Sequence, residues 1–247
     1  MVRYNRYMEK NIKFTSIYQD IPKIFAPRPA STCIPDWYKK QESYMGNKKE
    51  IGINGNVNPT IKKCIPIFDS ITAGYILFSA IDINLQSTDL DISYMWPNSF
   101  KKKDGELIAP VVFHQNTQIN QYPRQGLIED MPKFTNPWSI KTPNGYSVLI
   151  TQPMHRDLPF QILPAIVDTD KYHEAVHFPF YFKNPKWTGL ISAGTPIAQV
   201  IPFKREDWSM SIGGEDDAKL ARESFNTVKS FFFNGYKDIF WSKKIFK

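Results

Sequence analysis

A chain of 247 residues with 42% apolar side chains is long enough to bury a core without staples, which excludes a disordered chain and a disulfide miniature. Its net charge of +7 suits a nucleotide, a nucleic acid or an acidic surface. Its basic residues fall in small groups such as Lys62-Lys63, Lys101-Lys102-Lys103 and Lys243-Lys244 with no aromatic-basic motif beside them, so charge leaves nucleic acid open without selecting it.

Cys33 and Cys64 form neither a disulfide framework nor a close-spaced zinc site. No run approaches the ~18 apolar residues of a membrane span. Residues 1–13 are basic but lack the apolar stretch of a secretory signal, so cytoplasmic residence without a membrane partner is expected. Aromatics at 15%, with 19 prolines against 12 glycines, favour short strands punctuated by proline.

Along the chain, Pro22, Pro27, Pro29 and Pro35 bar a long helix from residues 13–40 and bias their predecessors to extended geometry. A short helix over 34–40 starts with Pro35 in its first turn. Gly46, Gly52, Asn54, Gly55, Asn56 and Asn58 make residues 46–60 a region of turns. Apolar or alternating runs predict strands at 64–68, 75–79, 81–85, 90–96 and 108–113, with a charged tip at 101–106. Residues 114–139, rich in Asn, Gln and Pro, read as a long polar excursion. Strands resume at 146–151, 160–167, 175–182, 189–191 and 197–203.

The period then changes. Ala218, Ala221, Phe225, Val228 and Phe232 recur every three or four residues, which predicts a helix over 216–233. Glu215, Asp216 and Asp217 suit the positive end of its dipole, and Asn234-Gly235 suits its stop. The basic, aromatic tail that follows could dock on the body or on a partner. The expected class is mainly β, as one domain over 1–247. Within it lie an N-terminal extension at 1–62, a β core at 63–214 with an insertion at 86–144, and a C-terminal helix and tail at 215–247.

Four strings in order carry a resemblance. Thr72-Ala73-Gly74-Tyr75-Ile76-Leu77 runs into a strand, and Gly145-Tyr146-Ser147-Val148-Leu149-Ile150-Thr151-Gln152-Pro153 forms another. Ala165-Ile166-Val167-Asp168-Thr169-Asp170-Lys171-Tyr172 and Gly189 to Ile201, with Pro196-Ile197-Ala198-Gln199 inside it, complete the set. Together they resemble the first four motifs of the trimeric deoxyuridine triphosphatases and cover about half of the chain. The whole chain also resembles a bacteriophage protein family of unknown function. The first resemblance implies a deoxyuridine triphosphatase-like β-clip core and a nucleotide ligand. It further implies a homotrimer with sites shared between subunits, Mg²⁺ if the protein is an enzyme, and residence in a host cell if it is phage-encoded.

The motifs also depart from that family. Its metal-placing carboxylate is Ile76 here, its Arg-Ser-Ser phosphate cradle is Met154-His155-Arg156, and the arginine of its fourth motif is Pro196. Its glycine-rich closing arm is reduced to Ser211-Ile212-Gly213-Gly214. What remains is Asp168, which the resemblance makes the water-positioning acid, and Tyr172, one residue late. Pyrophosphate cleavage depends on charge stabilisation more than on a base, so binding without efficient hydrolysis is expected. The ligand would lie among Tyr172, Arg156, Lys171, Gln199 and His155, near Asp168.

Two other readings stay open. His155 and Asp157 have the spacing of two ligands in a two-His-one-carboxylate metal site, with His177 or His173 as a third; the plain alternative is a loop in which they pair with neighbours. A sheet face carrying His173, Ala175 and His177 is either a pocket wall or ordinary polar surface. The chain is therefore read as a nucleotide- or small-ligand-binding module. The alternatives are a phage structural or assembly protein, and a metal-dependent nucleotide pyrophosphatase or His/Asp metalloenzyme.

Overall fold

The computed structural model describes residues 10–247 except 17, 20, 22, 53–56, 88–91, 116–117, 119–130, 185 and 232. Two compact units emerge from its internal contacts: residues 1–28 with 74–205, and residues 29–73 with 206–247. The strands are β1 (Lys13–Ser16), β2 (Tyr18–Gln19), β3 (Arg28–Pro29) at the boundary between the units, β4 (Tyr75–Phe78), β5 (Ile83–Ser87) and β6 (Ile92–Met95). They continue as β7 (Phe100–Lys102), β8 (Leu107–Ile108), β9 (Val111–Phe113), β10 (Pro132–Phe134), β11 (Trp138–Lys141) and β12 (Tyr146–Thr151). The last are β13 (Phe160–Ile162), β14 (Ala165–Val167), β15 (Phe178–Phe182), β16 (Gly189–Ile191) and β17 (Pro196–Lys204). The helices are α1 (Asp36–Lys40), α2 (Ile65–Thr72) and α3 (Glu215–Ser230). The protein is mainly β, as expected, and among the described residues no helix is long and apolar enough to cross a membrane.

In the first unit, small antiparallel sheets surround one apolar core. Their orders are β14-β12-β17-β4, β13-β15-β10-β9, β16-β5-β6, β2-β7-β8 and β1-β11. Strand β15 shows why the core forms. Its Phe178, Phe180 and Phe182 point inward while Pro179 and Tyr181 are half-buried, the period of two that a pleated strand imposes. Phe134 of β10 stacks on Phe180 at 4.0 Å between centroids, and Phe160 of β13 meets Phe134 edge-on at 5.0 Å, a favoured ring geometry. Strand β17 is paired on both sides, with Ile201 opposite Leu149 of β12 and Gln199 opposite Ile76 of β4.

Several expected elements are revised. Residues 64–68 are not a strand: Pro66 stands in the first turn of α2, where its missing N–H costs nothing, and Ile67 and Ile71 recur at helical spacing. The excursion at 114–139 ends early. Met131, Phe134 and Ile140 are buried and belong to or flank β10 and β11, while Gln121 and Tyr122 lie outside the described residues. The run 108–113 breaks at Pro110, and 160–167 breaks at Leu163-Pro164 into strands of two sheets.

Residues 173–177 are not on a strand either. The buried Asn136 side chain donates to the Val176 carbonyl at 3.1 Å, and the Asn136 N–H donates to His177 Nδ1 at 3.2 Å. These bonds take up the segment before β15, so the expected His173-Ala175-His177 sheet face does not form. Asn54, Gly55, Asn56, Leu90 and Phe232 lie outside the described residues.

In the second unit, α1 follows Pro35 as expected and buries Tyr38. The Tyr38 hydroxyl donates to the Lys62 carbonyl at 3.0 Å, and its ring packs on Phe68 of α2. The α3 helix starts where the acidic triplet predicts, with the Gly214 N–H donating to Asp217 Oδ2 at 2.9 Å, but its apolar side is only partly covered, with Ala218 and Val228 half-buried. Leu220 and Phe225 are 64% and 61% exposed.

Candidate functional site

Asp168, Lys171 and Tyr172 share one turn at the end of β14. The Asp168 carbonyl accepts from the N–H groups of Lys171 at 3.0 Å and Tyr172 at 2.9 Å. The turn is riveted to the start of β12 and the end of β17. Asp168 Oδ1 accepts from Ser147 Oγ at 2.6 Å and from Arg205 Nη1 at 3.2 Å. Arg205 also donates from Nη1 to Asp170 Oδ1 at 2.9 Å and from Nη2 to Asp170 Oδ2. The Gly145 N–H reaches Asp170 Oδ2 at 2.9 Å.

The Arg205 guanidinium, helped by that N–H, holds the Asp170 carboxyl well below the usual carboxylate range, because every one of these donors favours the charged form. The result is a charged clasp, with Asp168 Oδ1 already serving two donors. Tyr172 stands beside it, half exposed, with its hydroxyl donating to Glu174 at 3.2 Å. That bond, and then the Glu174 charge, push its phenol upward.

The other expected residues gather at the opposite end of β12. Gln199 is fully buried on β17 opposite Thr151, and its Oε1 accepts from the Met154 N–H at 2.9 Å. The chain turns there through His155, whose φ of 55° is left-handed, and continues through half-buried Arg156 to exposed Asp157. Ser147, beside Asp168, and Thr151, beside Gln199, are four residues apart on one strand, or roughly 13 Å. The structure therefore brings Gln199 to the 154–157 loop and Asp168 to Arg205, with Tyr172 in the turn that Asp168 begins, as two separate groups.

A cavity of about 480 Å³ lies against that loop. Asp157, Phe160, Lys183, Trp187, Ile191 and Thr195 are among its lining residues. The Lys183 N–H donates to the Pro159 carbonyl at 3.0 Å, which ties the two loops together. Trp187 is stacked on Phe182 at 5.5 Å and 15°, so its ring is held in place. Lys183 Nζ meets Asp157 Oδ1 at 3.4 Å, with both side chains in solvent, a pair that contributes little to stability and is open to exchange for a ligand.

Metal ligation has little to build on. Among the described residues no three His, Cys, Asp or Glu side chains gather to hold an ion. Asp157 faces Lys183, and His177 Nδ1 already accepts from Asn136. Burial, and then Lys133, push the His177 imidazolium downward. The donor set of a Mg²⁺-triphosphate does not fit these residues either. Ile76, at the place of the metal-placing acid, is buried in β4, and Asp82 Oδ1 accepts from the Ala193 N–H at 2.6 Å.

Sequence reasoning did not single out Arg205, Asp170, Lys183 or Trp187. Arg205 lies 37 positions from Asp168 and meets it only through the register of β12 with β17, where Tyr146 faces Lys204. No local signal carries that meeting.

No family model matches the chain, and no curated protein matches it. The chain is similar in structure to a mutant dUTPase from phage phi11 of S. aureus, described for its coordination of a structural Mg(II) ion. There the identity is 13% and the TM-score 0.30, over 57% of this chain and 82% of that one. It is also similar to a mutant dUTPase of Staphylococcus bacteriophage 80alpha with dUpNHpp, at 12% identity and a TM-score of 0.32, over 82% of this chain and 88% of that one.

Proposed function

We propose that the chain is a small-ligand-binding protein, with nucleotides as the ligand class, that does not hydrolyse what it binds efficiently. The observation that carries this reading is the cavity beside the 154–157 loop, where the held ring of Trp187 and the ammonium of Lys183 share one wall system of about 480 Å³. That volume suits a small molecule. A stacking surface next to a cation suits a base with a phosphate. Inefficient hydrolysis is supported by the buried Ile76 and by the two donors already bound to Asp168 Oδ1.

Isothermal calorimetry against the common ribo- and deoxyribonucleotides, with and without Mg²⁺ or Mn²⁺, tests it. At least one nucleotide should give saturable heat with no turnover. Lys183→Ala should weaken that binding about tenfold, the size of a charge-assisted hydrogen bond. No heat with any nucleotide, or multiple turnovers, overturns the reading.

A second reading, a phage assembly protein that oligomerises, draws on a different observation. Trp208, Met210 and Ile212 are 87%, 91% and 92% exposed just before α3, whose Leu220 and Phe225 are exposed too. Apolar surface of this kind is usual where a protein meets a partner. Light scattering that finds a monomer at high concentration removes it, and with it the homotrimer.

A further inference from the structure

The second unit contains a cavity of about 510 Å³ whose chemistry differs from that of the first unit's cavity. Four lysines line it, Lys62, Lys63, Lys237 and Lys243, together with Tyr38 and Trp241. Among the described residues, no Asp or Glu is in its lining. The carboxylate of Asp69 instead accepts from the Trp241 indole N–H at 3.0 and 3.1 Å and from Lys244 Nζ at 2.7 Å. It fixes the indole, and its charge is matched by a lysine outside the lining.

Tyr38 is equally fixed, 4% exposed and bonded to the Lys62 carbonyl. Lys62 donates to the Lys39 carbonyl at 2.8 Å, a neutral acceptor that leaves its charge uncompensated. Lys63 lies 5.5 Å from the Tyr44 ring centroid. Like charges in one cavity repel, and a bound anion relieves that repulsion. Lysines serve phosphate as point charges, while the half-buried indole of Trp241 adds a stacking surface that an inorganic ion does not use. Ser43 and Asn234, neutral residues able to hydrogen-bond a ring's polar edge, are also in the lining.

From this arrangement we infer that the second unit carries its own binding site for a phosphate that bears a nucleobase, either as a free nucleotide or as part of a single strand. This site is independent of the cavity at Lys183 and Trp187.

Calorimetry on the full chain with AMP, inorganic phosphate, an acidic peptide and an eight-nucleotide oligothymidylate tests the inference. AMP or the oligonucleotide should bind at least tenfold tighter than inorganic phosphate. The double variant Lys237→Ala/Lys243→Ala, at two exposed positions, should weaken that binding about a hundredfold, tenfold for each charge. Trp241→Leu should narrow the preference over inorganic phosphate while leaving phosphate binding in place.

Saturation by AMP that blocks the oligonucleotide identifies a free nucleotide. Oligonucleotide binding without AMP binding, with a salt slope reduced in the double variant, identifies a strand. Inorganic phosphate binding as tightly as both, a double variant that binds like the parent, or binding of an acidic peptide alone overturns the inference. Heat lost in Lys183→Ala belongs to the first unit's cavity and heat lost in the double variant belongs to this one, so the two ideas fail separately.

Discussion

Gly74→Ala should be among the most damaging single-atom additions in the first unit. Gly74 precedes β4 with φ of +66°, and a Cβ built there would lie 2.0 Å from the Val200 carbonyl oxygen, 2.9 Å from the Val200 carbonyl carbon and 3.0 Å from Ile201 Cα. These are backbone atoms of β17, which is paired to β12 on one side and β4 on the other, so they have little room to give. The left-handed backbone adds about 1–2 kcal/mol for a residue with a Cβ, and the overlap adds about 1–3 kcal/mol or more.

A total of about 3 kcal/mol, at a urea dependence of about 3 kcal/mol per molar, lowers the unfolding midpoint by about 1 M. Gly105→Ala supplies the control: φ there is +92°, but nothing lies within 4 Å of the added atom, so only the backbone cost of about 1–2 kcal/mol remains. Urea titrations followed by circular dichroism on both variants compare the two directly. Midpoints that agree within about 0.2 M refute the argument that close approach to β17, rather than turn geometry, requires this glycine.

Asn136→Ala should cost about 2–4 kcal/mol in calorimetric unfolding, because it strips the Trp138 N–H and the carbonyls of Trp138 and Val176 of a buried partner; a loss below 1 kcal/mol contradicts that. His177 should make stability fall in mild acid. Its imidazolium is disfavoured in the folded state relative to the ordinary value of 6.5, so the unfolded chain takes up the proton first. The contribution is complete above about pH 6.5 and drains away as the pH falls through the lowered folded value. An NMR titration that finds the ring protonating at or above 6.5 contradicts this, and His177→Gln should flatten the pH profile over that window.

How much was legible depended on whether the deciding interaction was local. Strand β15 could be read because Phe178, Phe180 and Phe182 alternate, and alternation is itself the cause of the burial seen. The helical spacing of Ala218, Ala221, Phe225 and Val228 was equally readable, yet it revealed only the period; the exposure of Phe225 shows that period says nothing of what covers a face. Residues 131–139 read as part of a loop because Pro132, Asn136 and Pro137 are loop-forming types. Asn136 works there as a surrogate for ladder bonds, which composition does not reveal. Residues 64–68 were too short a run to separate strand from helix. In the candidate site, Asp168 and Gln199 were named as one group, but strand register, a long-range property, separated them and brought in Arg205.

The position of β17 in the sheet also affects how the polypeptide is born. It lies between β4 and β12, yet it is made after both. Between the completion of Phe78 and that of Lys204, 126 residues are added (204 − 78), which at about 5–20 residues per second takes roughly 6–25 s. Throughout that interval β4 lacks the neighbour that later saturates its edge, as does β12 once it has been made, and exposed strand edges pair readily with other chains. Translation speed and holding chaperones should therefore affect the soluble yield of this protein more than the stability of its finished fold would suggest.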